Sequence, residues 1–261
     1  HQVQGMESSQ SQSTMNDRTL RRGDFALLLL VCAMLYGVAL LVPRVFTTHE
    51  AIHCQNVSEM SRSGEWLIPT YGGRPWLERP PGPHWLTLAG AIFTGGVGVD
   101  WAMRIGSMAV SALAVLIFAW AVAGCLGRNL GLMSGVILAT MREFAAYSVG
   151  PEADIFLASA VTICGSLFMR LHFANGGDGR TSFFGTRPPA MLIFFALLGL
   201  TNAMKGPLFG MIFVGLPIVA FFLWNRDGFG VRRFSWAWGW LAMLVLGAAW
   251  PLYAYYRFPD I

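Results

Sequence analysis

Lysine is nearly absent from this chain: 17 of its 18 basic side chains are arginine, and Lys205 stands alone. Charge of either sign is scarce, at 12% of 261 residues against 55% hydrophobic ones, with a mean hydropathy of +0.53. Soluble domains carry about 25% charged residues, so this scarcity excludes that class and points to a multi-span membrane protein. The arginines sit between apolar runs, where they read as topology signals. The net charge of +4 therefore makes no case for a nucleic-acid partner. Cysteine is sparse too. Cys32, Cys54, Cys125 and Cys164 stand singly, three of them in or beside apolar runs, which excludes a disulfide framework and a cysteine-based zinc site.

What is abundant is hydrocarbon. Seven runs are long enough to cross a bilayer as helices: 25–42, 105–127, 130–149, 155–172, 188–204, 207–225 and 234–256. An eighth, 84–99, is short and glycine-rich. If it stays on one side, ten basic residues lie inside and eight outside; if it crosses, six lie inside and twelve outside. The positive-inside rule favours the first arrangement. The expectation is an all-α integral membrane protein of about seven transmembrane helices. Its first outer loop, about 43–104, is large and carries interfacial helices. Residues 1–24 read as a disordered tail in which His1 to Gly5 look like a tag remnant, and 25–261 as one membrane domain. Gly176 to Arg180 reads as a flexible inner loop.

The stretch 47–85 breaks the pattern, crowding ionisable groups into an otherwise apolar chain. Such charge belongs at the water interface or in a polar cavity. Thr47 or Thr48 can cap a helix from His49 to about Arg62, with Ser63-Gly64 ending it. Within that helix His49-Glu50-Ala51-Ile52-His53 matches H-E-x-x-H, the pattern of a zinc metalloprotease, with His49, Glu50 and His53 as metal candidates. Such an enzyme needs a third metal ligand, and no acid-bearing motif in the later spans supplies one.

The ordered series Thr48-His49-Glu50, Glu59-Met60, Ser63-Gly64-Glu65-Trp66, Pro69, Gly73, Glu78-Arg79-Pro80-Pro81 and His84-Trp85-Leu86 fits something else. It resembles the first outer loop of polyprenyl-phosphate-dependent membrane glycosyltransferases of the GT-C group. That group includes the aminoarabinose lipid A transferase and the protein O-mannosyltransferases. The resemblance continues at Gly150-Pro151-Glu152-Ala153-Asp154 and at Thr201-Asn202-Ala203-Met204-Lys205-Gly206-Pro207, and so covers roughly 25–259. Two positions depart from the family pattern: its leading acid is His49 here, and the lysine before its double proline is Arg79.

The resemblance implies an inverting transfer of a sugar from a polyprenyl-phosphate donor to a lipid, glycan or protein acceptor. It places the enzyme in the bacterial inner membrane, with the active site facing the periplasm. It implies His49, Glu50 and Asp154 as catalytic or substrate-holding groups, and Arg79 and Lys205 on the donor phosphate. Glu78, His53, Arg142 and Glu143 would support them, and a divalent ion stays an open question. Family members usually continue into more spans and a soluble domain, so this chain is expected to lack a C-terminal part. Each residue also has a plainer use. Glu50 can serve the helix dipole, Glu152 with Asp154 can cap the next span, and Lys205 can be an interfacial anchor. Arg142-Glu143 can be a structural ion pair and Arg79-Pro80-Pro81 a rigid linker. A lipid-binding or transport protein without turnover is the remaining alternative.

Overall fold

The computed structural model describes residues 18–41, 45–174, 184–186, 188–206 and 208–259. The tail up to residue 17, the loop expected at 176–180, Arg187 and Pro207 lie outside the described residues. The described chain is nearly all helical, with one two-stranded hairpin.

Helix α1 (Arg22–Leu41) begins three residues before the expected span and takes in residues 22–24 of the expected tail. The cause is Asp24 in its first turn, which accepts the Arg21 backbone N–H at 2.7 Å and a two-pronged guanidinium from Arg128 at 2.6 and 2.7 Å. A carboxylate at a helix N-terminus suits the dipole, and the bidentate partner makes its burial tolerable. α2 (Thr48–Ser63) follows, then strands β1 (Thr70–Tyr71) and β2 (Arg74–Pro75), antiparallel with Thr70 opposite Pro75. α3 (Gly82–Thr94) has 13 residues, about 20 Å of helix. It crosses α4 (Asp100–Leu126) through paired glycines. A Cβ on Gly90 would stand 2.4 Å from the Gly106 nitrogen, and one on Gly106 would stand 2.4 Å from the Leu86 carbonyl oxygen.

The run expected to cross at 130–149 is not one helix. It forms α5 (Arg128–Thr140) and α6 (Arg142–Ser148), with extended-ψ backbone at Met141 between them. Arg142 and Glu143 sit at the break with side chains 93% and 72% exposed and 3.8 Å apart. α7 (Ala153–Met169) runs on through a π-helical turn, Arg170–Ala174. After it come α8 (Pro189–Leu200), the single turn α9 (Asn202–Lys205), α10 (Phe209–Asn225), α11 (Gly228–Phe234) and α12 (Ala237–Arg257).

Among the described residues four helices are long and apolar enough to cross a membrane: Arg22–Leu41, Asp100–Leu126, Ala153–Phe173 and Ala237–Arg257. The apolar segments Pro189–Lys205 and Phe209–Asn225 are shorter than these four. Aromatic packing ties the later helices together around Phe168, Phe194, Phe195, Phe222, Phe234 and Trp236. A second core joins α1, α4 and α5 through Leu28, Val115, Ala119 and Ala139. The loop helices α2 and α3, the break at Met141, the start of α7 and the turn α9 then meet at one end of the bundle.

Candidate active site

α2 starts where it does because Thr47 is extended and caps it. The Thr47 hydroxyl accepts the Glu50 N–H at 3.2 Å, and the Glu50 carboxylate accepts the Thr47 N–H at 2.8 Å, a complete capping box. Gly64, at φ +72°, ends the helix and donates to Met60. Glu50 is only 1% exposed, and its other oxygen lies 3.8 Å from the Arg104 guanidinium. Arg104 also donates to the Val149 carbonyl at 3.0 Å and lies 4.4 Å over the Phe46 ring. The bland use of Glu50 is therefore present, together with a buried ion pair. The carboxylate still borders a cavity of about 270 Å³ shared with Thr47, Glu143, Tyr147, Gly150 and Glu152.

One turn on, His53 is buried and shares a 2.9 Å hydrogen bond with the Thr87 hydroxyl. Its ring stacks on His84 at 4.4 Å and 16°. Burial, reinforced by His84 and by the Arg79 charge, holds His53 well below its ordinary 6.5. Burial also pushes His84 down to about 4, with the Pro80 carbonyl opposing and Arg79 assisting. The two imidazoles are neutral at ordinary pH. Asn56 donates its amide to the Thr70 and Ile52 carbonyls at 2.9 and 3.2 Å and turns its oxygen toward His84.

The hairpin is held on α2 as well. Gly72 and Gly73 have φ of +62° and +75°, a turn that favours glycine, and both N–H groups donate to Glu59, at 2.8 and 3.1 Å. Burial pushes the Glu59 carboxyl up, but hydrogen bonds from Gln55, Gly73, Thr70 and Gly72 outweigh it and bring it to about 2. Trp85 and Trp250 add indole N–H bonds to the Trp66 and Leu67 carbonyls, each at 2.7 Å. The chain leaving this anchored hairpin delivers Trp76, Glu78 and Arg79 to a cleft of about 100 Å³. His49, Ile52, His53 and Asn56 from α2, His84 from α3, and Glu152 and Ala153 at the head of α7 complete its walls.

Arg79 lies 3.7 Å from the Glu78 carboxylate, which is more than half exposed. Lys205 pairs directly with Asp154, and its ammonium lies 6.0 Å from the Phe209 ring. The α9 turn that carries Lys205 is pressed against the start of α3: a Cβ on Gly82 would stand 2.3 Å from the Ala203 carbonyl oxygen. The Arg79 and Lys205 segments are thus neighbours. Of the expected supporting residues, His53 lines the cleft, Glu143 borders the second cavity, and Arg142 forms an exposed pair with Glu143 at 3.8 Å. Among the described residues no three His, Cys, Asp or Glu side chains converge to hold a metal ion. His53 is turned to Thr87 and His84, and Glu50 to Thr47 and Arg104, so the metalloprotease arrangement does not form.

Sequence reasoning gave no site role to Arg104, His84, Asn56, Trp76 or Tyr147, and only a capping role to Glu152. Arg104 carried one usable signal, an arginine in the first turns of an otherwise apolar span. For the others, only the fold brings them together.

A sequence model of the family described as "Dolichyl-phosphate-mannose-protein mannosyltransferase" matches residues 78–255. The chain belongs to that family. Curated relatives include the undecaprenyl phosphate-alpha-4-amino-4-deoxy-L-arabinose arabinosyl transferases of Shewanella sediminis (strain HAW-EB3) and Pseudomonas aeruginosa (strain PAO1). The first is 24% identical over 87% of this chain and the second 26% over 92%, and the chain spans 40% and 42% of their respective lengths. The crystal structure of ArnT from Cupriavidus metallidurans bound to undecaprenyl phosphate shares the fold. Its TM-score is 0.77 at 23% identity, over 90% of this chain and 42% of that one.

Proposed function

We propose that this chain handles the donor in a membrane glycosyltransferase reaction that moves a sugar from a polyprenyl phosphate to a lipid, glycan or protein acceptor with inversion. The site faces the outer side of a bacterial inner membrane, and the shorter helices α5, α8 and α10 cross with the four long ones. The observation that carries this reading is that the Arg79 strand exit, the His49 helix and the start of α7 at Glu152 and Ala153 line one small polar cleft, while the same start of α7 carries Asp154, paired with Lys205 on a turn packed against Gly82.

The chemistry follows from charge. A leaving lipid phosphate gains negative charge as its bond to the anomeric carbon breaks, and cations aimed at it lower that barrier. Arg79 and Lys205 are those cations, with arginine able to grip phosphate in two places. In the resting state Lys205 is neutralised by Asp154, and an arriving phosphate exchanges for that partner, freeing Asp154 to hold sugar hydroxyls. His49 contacts the sugar from the position where the resemblance places an acid. Glu50, held by the cap and Arg104, orients that helix end. The isoprenoid tail lies along the apolar groove of about 390 Å³ between α7 and α10, which is lined by Val161, Gly165, Phe213 and Pro217.

The test is transfer in detergent or vesicles from undecaprenyl-phosphate-linked pentose and hexose donors, with binding of undecaprenyl phosphate measured separately. Arg79→Ala is expected to weaken that binding at least tenfold, and Asp154→Asn to reduce turnover at least tenfold. Unchanged binding in the first and unchanged turnover in the second would discard the assignment. Chelator treatment in the same assay decides whether a divalent ion takes part.

A further inference from the structure

Glu152 stands at the N-cap position of α7, where an acidic side chain ordinarily accepts a backbone N–H of the first turn. Here it makes no such bond. The chain turns tightly before it, with the Glu152 N–H donating to Gly150 at 2.9 Å, and the side chain points away from its own helix. Its Oε1 accepts the Thr47 hydroxyl at 3.1 Å, the same hydroxyl that accepts the Glu50 N–H in the capping box. Two elements far apart in sequence thus fix one carboxylate, and the buried Glu50–Arg104 pair stands behind Thr47. The second observation is the position of that carboxylate. Glu152 lines the cleft that holds Arg79 and His49, and it also lines the 270 Å³ cavity that holds Thr47, Glu143 and Tyr147. It thus lines both a space that holds Arg79, one of the proposed phosphate ligands, and a roomier one that holds neither of them.

We propose that Glu152 is the general base of the transfer, receiving the proton of an acceptor hydroxyl that enters through the second cavity. The assignment rests on the glycosyltransferase reading and adds to it the class of acceptor group and where it binds. The acceptor O–H bond breaks and its proton passes to the Glu152 carboxylate. The acceptor oxygen forms a bond to the anomeric carbon of the sugar in the cleft. The bond from that carbon to the lipid phosphate breaks, and its electron pair leaves on the phosphate oxygen that Arg79 and Lys205 face. A carboxylate is needed because a neutral hydroxyl is a weak nucleophile. The place where the resemblance puts an acid is an imidazole in this chain, His49, and Glu152 supplies the carboxylate from another wall of the same cleft.

The experiment uses the whole chain, an undecaprenyl-phosphate-linked donor, and two acceptor probes: a hydroxyl-bearing alkyl glycoside and a lipid A phosphate. Glu152→Gln is expected to lower kcat toward the hydroxyl probe by about 10²–10⁴, the range for loss of a general base, with the donor KM unchanged. Glu152→Ala should regain part of that loss in added formate, a rescue that a structural role would not give. Ala146→Phe, an exposed position on α6 beside the second cavity, should raise the acceptor KM and leave the donor KM alone. Three results overturn the proposal alone while the unaltered chain still transfers: Glu152→Gln within threefold of it, a Glu152→Ala loss that formate does not relieve, or transfer confined to the phosphate probe. Ala146→Phe with an unmoved acceptor KM does the same without relying on any Glu152 variant. Absence of any transfer by the unaltered chain overturns the underlying reading as well.

Discussion

Replacing Arg104 by methionine should loosen the whole loop end of the bundle, and the size of the effect can be worked from its contacts. Arg104 and Glu50 are 4% and 1% exposed, with guanidinium and carboxylate 3.8 Å apart. Removing one partner of a buried pair leaves the other charged and poorly solvated, at a cost of about 3–5 kcal/mol. Arg104→Met also strips the Val149 carbonyl of its 3.0 Å donor. Glu50→Gln removes the other charge and weakens the bond to the Thr47 N–H, which adds about 1 kcal/mol of lost capping. The double variant leaves no orphan charge, so its loss should be smaller than the sum of the two singles by roughly 0.5–3 kcal/mol. The assay is thermal unfolding of the purified protein in detergent, with hydrogen exchange over 47–63 to localise the change. Strictly additive losses, or singles that melt like the unaltered chain, would refute the claim that these two charges hold each other. Exchange that rises first in the later helices would refute the placement of the effect.

Two further outcomes follow from the same geometry. Gly82→Ala sets a methyl group 2.3 Å from the Ala203 carbonyl oxygen, a backbone contact that cannot swing away. It should cost about 1–3 kcal/mol and weaken undecaprenyl phosphate binding by separating Arg79 from Lys205, whereas Gly64→Ala, with nothing nearby, should lose stability through its positive φ and keep the binding. Acid should destabilise the loop through His84. Its folded value is depressed to about 4 from 6.5, so between those values the unfolded chain binds more protons. Stability is full above about pH 6.5 and is lost as the pH falls toward about 4. His84→Phe should flatten that part of the melting-temperature profile, and an equally steep profile in the variant would remove His84 as its cause.

How much of this could be read beforehand differs between fold and site. Apolar runs separated by arginine gave the helical membrane character and four of the spans within a few residues, because hydrophobic length is a local property. The same property misjudged 130–149. A hydropathy window averages over Arg142-Glu143, while the chain breaks at Met141 just before both charges, whose side chains are largely exposed. The start of α1 was misplaced for a non-local reason, since the partner that makes Asp24 tolerable in the bundle is Arg128, more than a hundred residues away.

The site shows the limit most clearly at 150–154. In sequence Glu152 and Asp154 are interchangeable as caps for the next span, and nothing local separates them. Folding gives them different partners: Asp154 goes to Lys205 from α9, and Glu152 goes to Thr47 at the head of α2. Neither takes a side-chain capping bond at α7. An uncapped helix start that spends two acids on distant partners forgoes about 1 kcal/mol of easily gained stability. Such a local sacrifice is expected where side chains are committed to a site. Shifting Glu152 to aspartate tests this directly. The shorter carboxylate is a better cap but falls short of Thr47, so Glu152→Asp should hold or raise the melting temperature while transfer falls. Stability and transfer falling together would mean that Glu152 serves the fold alone.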